Sequence, residues 1–160
     1  MRNLKLSSRV VALAALLFAT PSQAQSAGRA PLLWTHSGLE FMVFPTAGVG
    51  ASLPLGRVDL RAQFGAVYTR WMPGTDGTTP LQVNLNALYT WPRGNVVWYA
   101  GPGAGLFGDP ILVGNVTGGV RGEYGSGPLG WFIEGQLRGR IKQPHLEVLP
   151  TLHLGLTYRF

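Results

Sequence analysis

Apolar and polar residues alternate along nearly the whole chain after residue 38. A spacing of two predicts β-strands, and no segment in this part of the chain shows the spacing of a helix. Seven alternating runs can be traced, at residues 39–55, 58–69, 81–91, 96–107, 112–124, 129–141 and 146–160. The runs are about 11 to 17 residues long, and a tilted strand needs about 9–11 residues to cross a bilayer. The pattern therefore predicts an all-β fold built from membrane-length strands.

An eighth strand is required, because single-chain bacterial membrane barrels have even numbers of strands. The segment 29–36 precedes the first run, although it contains Pro31 and is short for a crossing strand. The alternative divides the run 39–55 at Pro45 and leaves a six-residue piece. We predict the first arrangement, an antiparallel up-and-down transmembrane β-barrel of eight strands.

Composition indicates which face of these strands is outside. Only 12% of the residues are charged, against about 25% in ordinary soluble domains, and no charged residue occupies the apolar phase of a run. A soluble, lipocalin-like barrel would alternate too, but with charged residues on its outer surface. We therefore expect the apolar phase to face lipid and the polar phase to face the lumen.

The N-terminal segment has the pattern of a cleavable signal peptide. Two of the three cations Arg2, Lys5 and Arg9 stand well before the apolar stretch 10–18 and the third directly precedes it; after Pro21, Ser22 and Ala24 supply small residues at the two positions that a signal peptidase reads. We predict a signal peptide at 1–24 and a barrel domain at 25–160. These three cations supply part of the net charge of +6. The remaining excess is too small to indicate the clustered basic face of a nucleic-acid-binding protein, so no nucleic-acid partner is predicted.

The C-terminal run resembles the terminal strand of Gram-negative outer-membrane β-barrels. It ends in an aromatic residue with apolar residues at alternate positions before it: Leu152, Leu154, Leu156, Tyr158 and Phe160. In that family such a strand is the signal that the barrel-assembly machinery recognises. The size of the chain is similar to the small, eight-stranded OmpA- or OmpX-type barrels. The resemblance implies location in the outer membrane, contact with its lipid, and a monomer.

Strand direction follows if Phe160 ends in the periplasm. The connections at 72–80, 108–110 and 142–145 are then external, and the other turns are periplasmic. Aromatic residues gather at membrane interfaces, and most of those in the runs fall at predicted periplasmic strand ends. This expected girdle comprises Tyr89, Trp91, Trp98, Tyr124 and Trp131, together with Tyr158 and Phe160. Tyr68 and Trp71 are expected at the outer interface.

Charged residues of both signs share the polar phase, where ions inside a narrow barrel must be paired. The expected lumen network comprises Glu40, Asp59, Arg61, Arg121, Glu123, Glu134, Arg138, Arg140, Glu147, His153 and Arg159. Glu40, Arg138, Arg140 and Glu147 would lie near the outer end, where the two arginines would reach Glu40, Glu134 or Glu147. Inward glycines on the fourth and fifth runs would leave room for the long arginines. The network is interpreted as a salt-bridge plug, with a narrow ion path as the alternative.

Three function classes remain open on the sequence. The leading hypothesis is a non-enzymatic outer-membrane barrel with a structural or surface-interaction role. The second is a lipid A- or phospholipid-modifying enzyme, which would need a histidine placed to deprotonate a serine. Here His36 and Ser37 are adjacent, so in a strand they face opposite ways, and His153 is assigned a hydrogen-bonding role in the lumen. The third is a small-solute pore; no cofactor or metal site is predicted.

Overall fold

The computed structural model describes residues 30–69, 79–108, 111–142 and 145–160. They form eight strands: β1 (Leu32–Glu40), β2 (Phe44–Leu55), β3 (Val58–Val67), β4 (Leu81–Arg93), β5 (Val96–Phe107), β6 (Ile111–Glu123), β7 (Leu129–Lys142) and β8 (His145–Arg159). Each strand pairs antiparallel with the next, and β8 closes on β1. The predicted all-β, eight-stranded antiparallel barrel is confirmed. The predicted signal peptide at 1–24 lies outside the described residues.

One predicted strand boundary is wrong. The run 39–55 is broken by a turn at residues 41–43, in which the amide of Val43 donates to the carbonyl of Glu40 at 3.1 Å. Phe41 and Met42 hold φ angles of 55° and 60°, a left-handed conformation that is uncommon outside Gly, Asn and Asp. The segment assigned to 29–36 is therefore found at β1, nine residues that end at Glu40, and Pro45 lies inside β2.

Alternation divides the side chains between two surfaces in the predicted phase. Large apolar residues are exposed on the outer wall, whereas polar residues at the intervening positions are buried inside. The outward set includes Val49, Leu60, Phe64, Leu85, Leu106, Leu112, Val116, Ile133, Leu137 and Leu154. Because an apolar wall of this kind suits hydrocarbon rather than water, the barrel has the surface of a transmembrane protein. No helix in the part of the chain that is described is long and apolar enough to cross a membrane.

The two ends of the barrel differ in their connections. At one end, called the terminal end here, lie both the start of β1 and the end of β8, with the turns after β2, β4 and β6. The turns after β2 and β4 are tight and use Gly56 and Gly94 at φ of 64° and 62°, where a residue with a Cβ is disfavoured. The opposite end, the loop end, carries the turn at 41–43 and the connections after β3, β5 and β7.

Candidate functional site: the barrel lumen

The centre of the lumen is crossed by side chains from two opposite strands. Arg61 on β3 donates to and ion-pairs with Glu134 on β7, and these strands are diametrically opposed in an eight-stranded barrel. One step along the same strands, Gln136 Nε2 donates to Gln63 Oε1 at 3.3 Å. Gln136 also donates to Glu134 Oε1 at 2.7 Å. These contacts tie the two walls together across the full width of the barrel.

A second cluster lies nearer the loop end and joins four strands. Arg138 on β7 donates through Nη1 to both carboxylate oxygens of Glu40 on β1, each at 2.8 Å. The same guanidinium donates to Gln82 on β4, and Thr151 on β8 donates to Glu40 Oε2 at 2.9 Å. Gln136 Oε1 accepts two more bonds from Arg138, at 3.1 and 2.9 Å. Arg138 is therefore held from several sides and has little freedom to swing aside.

Toward the terminal end the ion pairs become progressively more exposed. Arg121 on β6 lies 2.6 Å from Asp59 on β3, and only 13% of the arginine side chain is exposed. At the rim, Arg159 pairs with Glu123, and these side chains are 40% and 44% exposed. Among the described residues, the ion pairs at the centre of the lumen are thus buried, and the pair at this rim is exposed to solvent.

Two histidines occupy the space between the central pair and the loop-end cluster. The rings of His36 and His153 lie 4.6 Å apart, and both side chains are buried. His153 Nε2 is 3.5 Å from Glu40 Oε1, and its Nδ1 is 3.9 Å from Glu134 Oε1. His36 Nε2 lies 3.1 Å from Gln63 Nε2. Ser37 is on the opposite, exposed face of β1, as expected from its position next to His36 in the sequence. Within the described ranges no group of three or more acidic, histidine or cysteine side chains is placed to hold a metal ion.

Aromatic side chains inside the barrel surround the central arginine. The Arg61 guanidinium carbon lies 4.5 Å from the ring centroid of Trp34, 5.1 Å from that of Tyr99 and 5.7 Å from that of Phe132. The Trp34 and Phe132 rings meet edge to face at 5.3 Å. A cation placed over such faces is stabilised by the ring quadrupoles, so this arginine has partners besides its carboxylate.

Each inward ring lies over a glycine that is its direct partner on the neighbouring strand. The pairs are Trp34 with Gly50, His36 with Gly48, His153 with Gly38, Tyr99 with Gly119 and Phe132 with Gly155. A Cβ on Gly50 would be 2.1 Å from Trp34 Cζ2, closer than two such atoms can approach. On β5, the side chains of Asn86 and Asn84 occupy the space over Gly103 and Gly105. The glycines therefore make room for rings and amides, whereas the sequence had suggested room for arginines.

Electrostatic balance in the lumen is complete among the described residues. Three buried or nearly buried arginines each face one buried carboxylate: Arg61 with Glu134, Arg121 with Asp59, and Arg138 with Glu40. A buried ion is tolerated only when it is paired and hydrogen-bonded. The arrangement can hold a barrel closed and rigid, and it keeps His36 and His153 buried away from the lipid-facing wall.

One residue of the expected network does not join it. Glu147 is exposed. The last residue of β1, Glu40, pairs with Thr151 on β8. Because Glu147 lies four residues beyond Thr151 toward the loop end, β1 does not extend far enough to cover it. Arg140 pairs in register with Glu147, and its side chain lies outside the described residues.

The aromatic residues expected at the periplasmic interface all lie near the terminal end on the outer wall, and Tyr68 is exposed near the loop end. Trp71 is outside the described residues.

Sequence reasoning missed the aromatic part of the lumen. The alternation assigns no face to Trp34, and it does not identify Tyr99 and Phe132 as partners of an arginine. A signal was present: each of these residues stands in the polar phase of its strand, and the inward positions of the neighbouring strands are rich in glycine.

Comparison with known proteins supports the fold and goes no further. No protein-family model and no curated protein matches the chain. Similar solved structures include a de novo designed transmembrane β-barrel, with a TM-score of 0.65, 10% identity, and coverage of 84% of this chain and 98% of that one. Neisserial surface protein A has a TM-score of 0.60 and 13% sequence identity, and the match covers 81% of this chain and 94% of that one. The N-terminal β-barrel domain of Pseudomonas aeruginosa OprF has a TM-score of 0.56 and 15% sequence identity, and the match covers 84% of this chain and 100% of that one.

These similarities define the class of fold. The chain has the architecture of small, eight-stranded transmembrane β-barrels, and the resemblance inferred from its sequence is confirmed at that level. At 10–15% identity the likeness carries no information on ligand, partner or process.

Proposed function

We propose that the protein is a small outer-membrane β-barrel with a closed lumen, acting in the cell envelope as a structural or surface-interaction component. The apolar outer wall and the aromatic residues near the terminal end support a membrane location. The similarity of the fold to Neisserial surface protein A and to the OprF barrel domain supports the outer membrane in particular.

The observation that carries the proposal of a closed lumen is the set of ion pairs that cross it. Arg61 and Glu134 join opposite walls at the centre, and Arg138 joins β7 to β1 and β4 nearer the loop end. An eight-stranded barrel is only wide enough for side chains to fill its interior, whereas open porins have 16–18 strands. Moving any of these arginines aside would leave a carboxylate buried and unpaired, which is strongly unfavourable.

The placement of the histidines favours a non-enzymatic role over a lipid-modifying one. His153 is fully buried among Glu40, Glu134 and His36, so a lipid at the outer wall cannot reach its ring. His36 is likewise buried, and Ser37 faces away from it. A hydrolase of lipid needs its nucleophile and base side by side at a surface that the substrate reaches.

The strand that ends at Phe160 supports the proposed route of assembly and the proposed orientation. Leu152, Leu154, Leu156, Tyr158 and Phe160 are all exposed on the outer wall, so they form one continuous apolar row along β8 and the residue that follows it. We place the terminal end in the periplasm, with the barrel-assembly machinery as the partner that reads this row. Outer-membrane lipid is then the partner of the wall, and the barrel acts as a monomer.

Cell fractionation and solute flux test this proposal together. The protein should be found in outer-membrane fractions, and unboiled samples should migrate differently from boiled samples on a denaturing gel because the folded barrel resists detergent. Liposomes that contain the purified protein should not swell in isotonic arabinose. Recovery in the soluble fraction, or swelling at a rate typical of a porin, would contradict the proposal.

A lipid profile tests the enzymatic alternative. Cells that express the wild-type chain and cells that express His153→Ala should have the same lipid A and phospholipid species by mass spectrometry. A modified species that requires His153 would show that the barrel is an enzyme.

A further inference from the structure

Two arginines lie outside the lumen at the terminal end, and the closed interior does not account for them. Arg57 is in the turn before β3, Arg93 ends β4, and both are exposed. Arg57 Nη1 donates to the hydroxyl oxygen of Tyr89 at 3.1 Å. Because Tyr89 faces outward from the wall, with 46% of it exposed, the Arg57 guanidinium lies on the outer surface of the barrel.

Arg93 reaches the same surface by alternation. Tyr89, Trp91 and Arg93 occupy successive outward positions on β4, and positions two apart on one strand are about 6.6 Å from each other. The Tyr89 and Trp91 rings are 6.0 Å apart, and Trp91 pairs with Trp98 on β5. Arg57, Tyr89, Trp91, Arg93 and Trp98 therefore form one surface, called the Arg57–Arg93 patch, with cations bordering three aromatic rings.

This patch carries uncompensated positive charge. The other arginines described at this end are paired, Arg121 with Asp59 and Arg159 with Glu123. Among the ion pairs of the described residues, none involves Arg57 or Arg93. The aromatic girdle on β7 and β8 has no comparable cation, since Arg159 is turned toward Glu123. The charge is therefore concentrated on the β3–β5 side of the wall.

We propose that the Arg57–Arg93 patch binds the phosphate of an anionic glycerophospholipid in the leaflet at the terminal end, an inference that rests on the proposed membrane location. Guanidinium groups donate hydrogen bonds in a fork that matches phosphate oxygens. Tyr and Trp rings settle at headgroup level, where one edge is polar and the other meets the acyl chains. A zwitterionic lipid brings its own cation and would neutralise the patch less completely. The occupant is thus a lipid such as phosphatidylglycerol.

Native mass spectrometry of the full-length expressed protein, purified in detergent from membranes, measures this preference directly. Protein mixed with equimolar phosphatidylglycerol and phosphatidylcholine of the same chain length should retain mostly phosphatidylglycerol. Each basic residue near an anionic surface contributes roughly a fivefold preference, so Arg57→Gln with Arg93→Gln should lower the bound ratio at least about fivefold. Arg57→Lys with Arg93→Lys should retain most of the preference. Arg70→Gln with Lys142→Gln, which removes the same charge from the segment after β3 and from the last residue of β7, should change nothing.

The outcomes separate this inference from the proposed function. Equal retention of the two lipids by the wild type, or a preference that survives the Arg57 and Arg93 substitutions, would overturn the lipid site even if the barrel is folded and closed. Displacement of the lipid by millimolar inorganic phosphate would also overturn it, because it would assign the arginines to a free anion. Heat-dependent gel migration of every variant confirms that the barrel is intact, and a loss of the folded form in the wild type would count against the proposed function instead.

Discussion

Arg61 offers the sharpest test of the lumen as a set of buried ion pairs. The substitution Arg61→Met keeps most of the side-chain volume and removes the charge. It leaves Glu134 buried, at 1% side-chain exposure, with Gln136 as its remaining close donor at 2.7 Å. The variant should be markedly less stable than the wild type.

The magnitude follows from the two kinds of contact that Arg61 makes. Breaking a buried ion pair by removing one partner costs about 3–5 kcal/mol. The contact between the Arg61 cation and the ring of Trp34, 4.5 Å away, contributes up to about 2 kcal/mol when it is desolvated. The same substitution removes both contacts, so this contribution is already part of the cost of breaking the ion pair and is not added to it. We therefore expect the free energy of unfolding to fall by about 3–5 kcal/mol.

Two matched variants separate the ion pair from other causes. Arg159→Met removes the same residue type from a pair whose side chains are 40% and 44% exposed, and such exposed pairs contribute less than about 1 kcal/mol. The double variant Arg61→Met with Glu134→Gln leaves no unpaired charge, and it should recover at least half of the lost stability.

Reversible urea unfolding of the protein in lipid vesicles, followed by tryptophan fluorescence, gives these differences as a double-mutant cycle. A loss below about 1 kcal/mol in Arg61→Met, the value of an exposed pair, would refute the reasoning. The reasoning would also be refuted if the loss of stability in the double variant equalled the sum of the losses in the two single variants.

Three further predictions concern packing, assembly and orientation. Gly50→Ala should lower stability by about 1–3 kcal/mol, because the new Cβ would meet the Trp34 ring at 2.1 Å; Gly114→Ala, where nothing lies within 4 Å, should be neutral in the same urea titration. Deletion of Phe160, which is 68% exposed at the end of β8, should reduce the heat-modifiable protein recovered from outer membranes, and recovery at the wild-type level would show that the residue is not part of an assembly signal. A cysteine at Thr75 should react with an impermeant maleimide on intact cells and a cysteine at Ser126 should not; labelling of Ser126→Cys alone would invert the orientation.

Strand phase was predictable because burial in a barrel is decided one residue at a time. Lipid excludes charge from the outward positions within the hydrocarbon layer, and the charged residues of the strands therefore face inward, so Leu60 and Arg61 could be assigned to their faces by composition alone. The same reasoning brought Asp59, Arg61, Glu134 and Arg138 into the lumen.

The first hairpin was not predictable in this way. A turn at residues 41–43 uses Phe41 and Met42 at positive φ, where Gly, Asn or Asp is the usual signal. Apolar residues on both sides of the turn continue the alternation, so nothing in the pattern marks the reversal. The break is fixed by long-range contacts instead: Glu40 is bound by Arg138 and Thr151, and the Phe41 ring packs near Phe44 and Phe107.

The partners inside the lumen also depend on information that alternation lacks. Which arginine meets which carboxylate is set by the stagger between strands, and this stagger places Arg61 opposite Glu134 and Asp59 within reach of Arg121. Glu147 illustrates the same point. Its phase is inward, but β1 is too short to cover it, so it is exposed at the loop end.

Single-channel recording tests the closed lumen most directly. Purified wild-type protein incorporated into planar bilayers should show no discrete conductance steps, since Arg61, Arg138 and their carboxylate partners fill the path at two levels. Arg138→Ala should loosen the cluster nearer the loop end and produce either an irregular leak of ions or a loss of folded protein. Regular wild-type openings that persist unchanged in Arg138→Ala would contradict the account and identify the barrel as a pore.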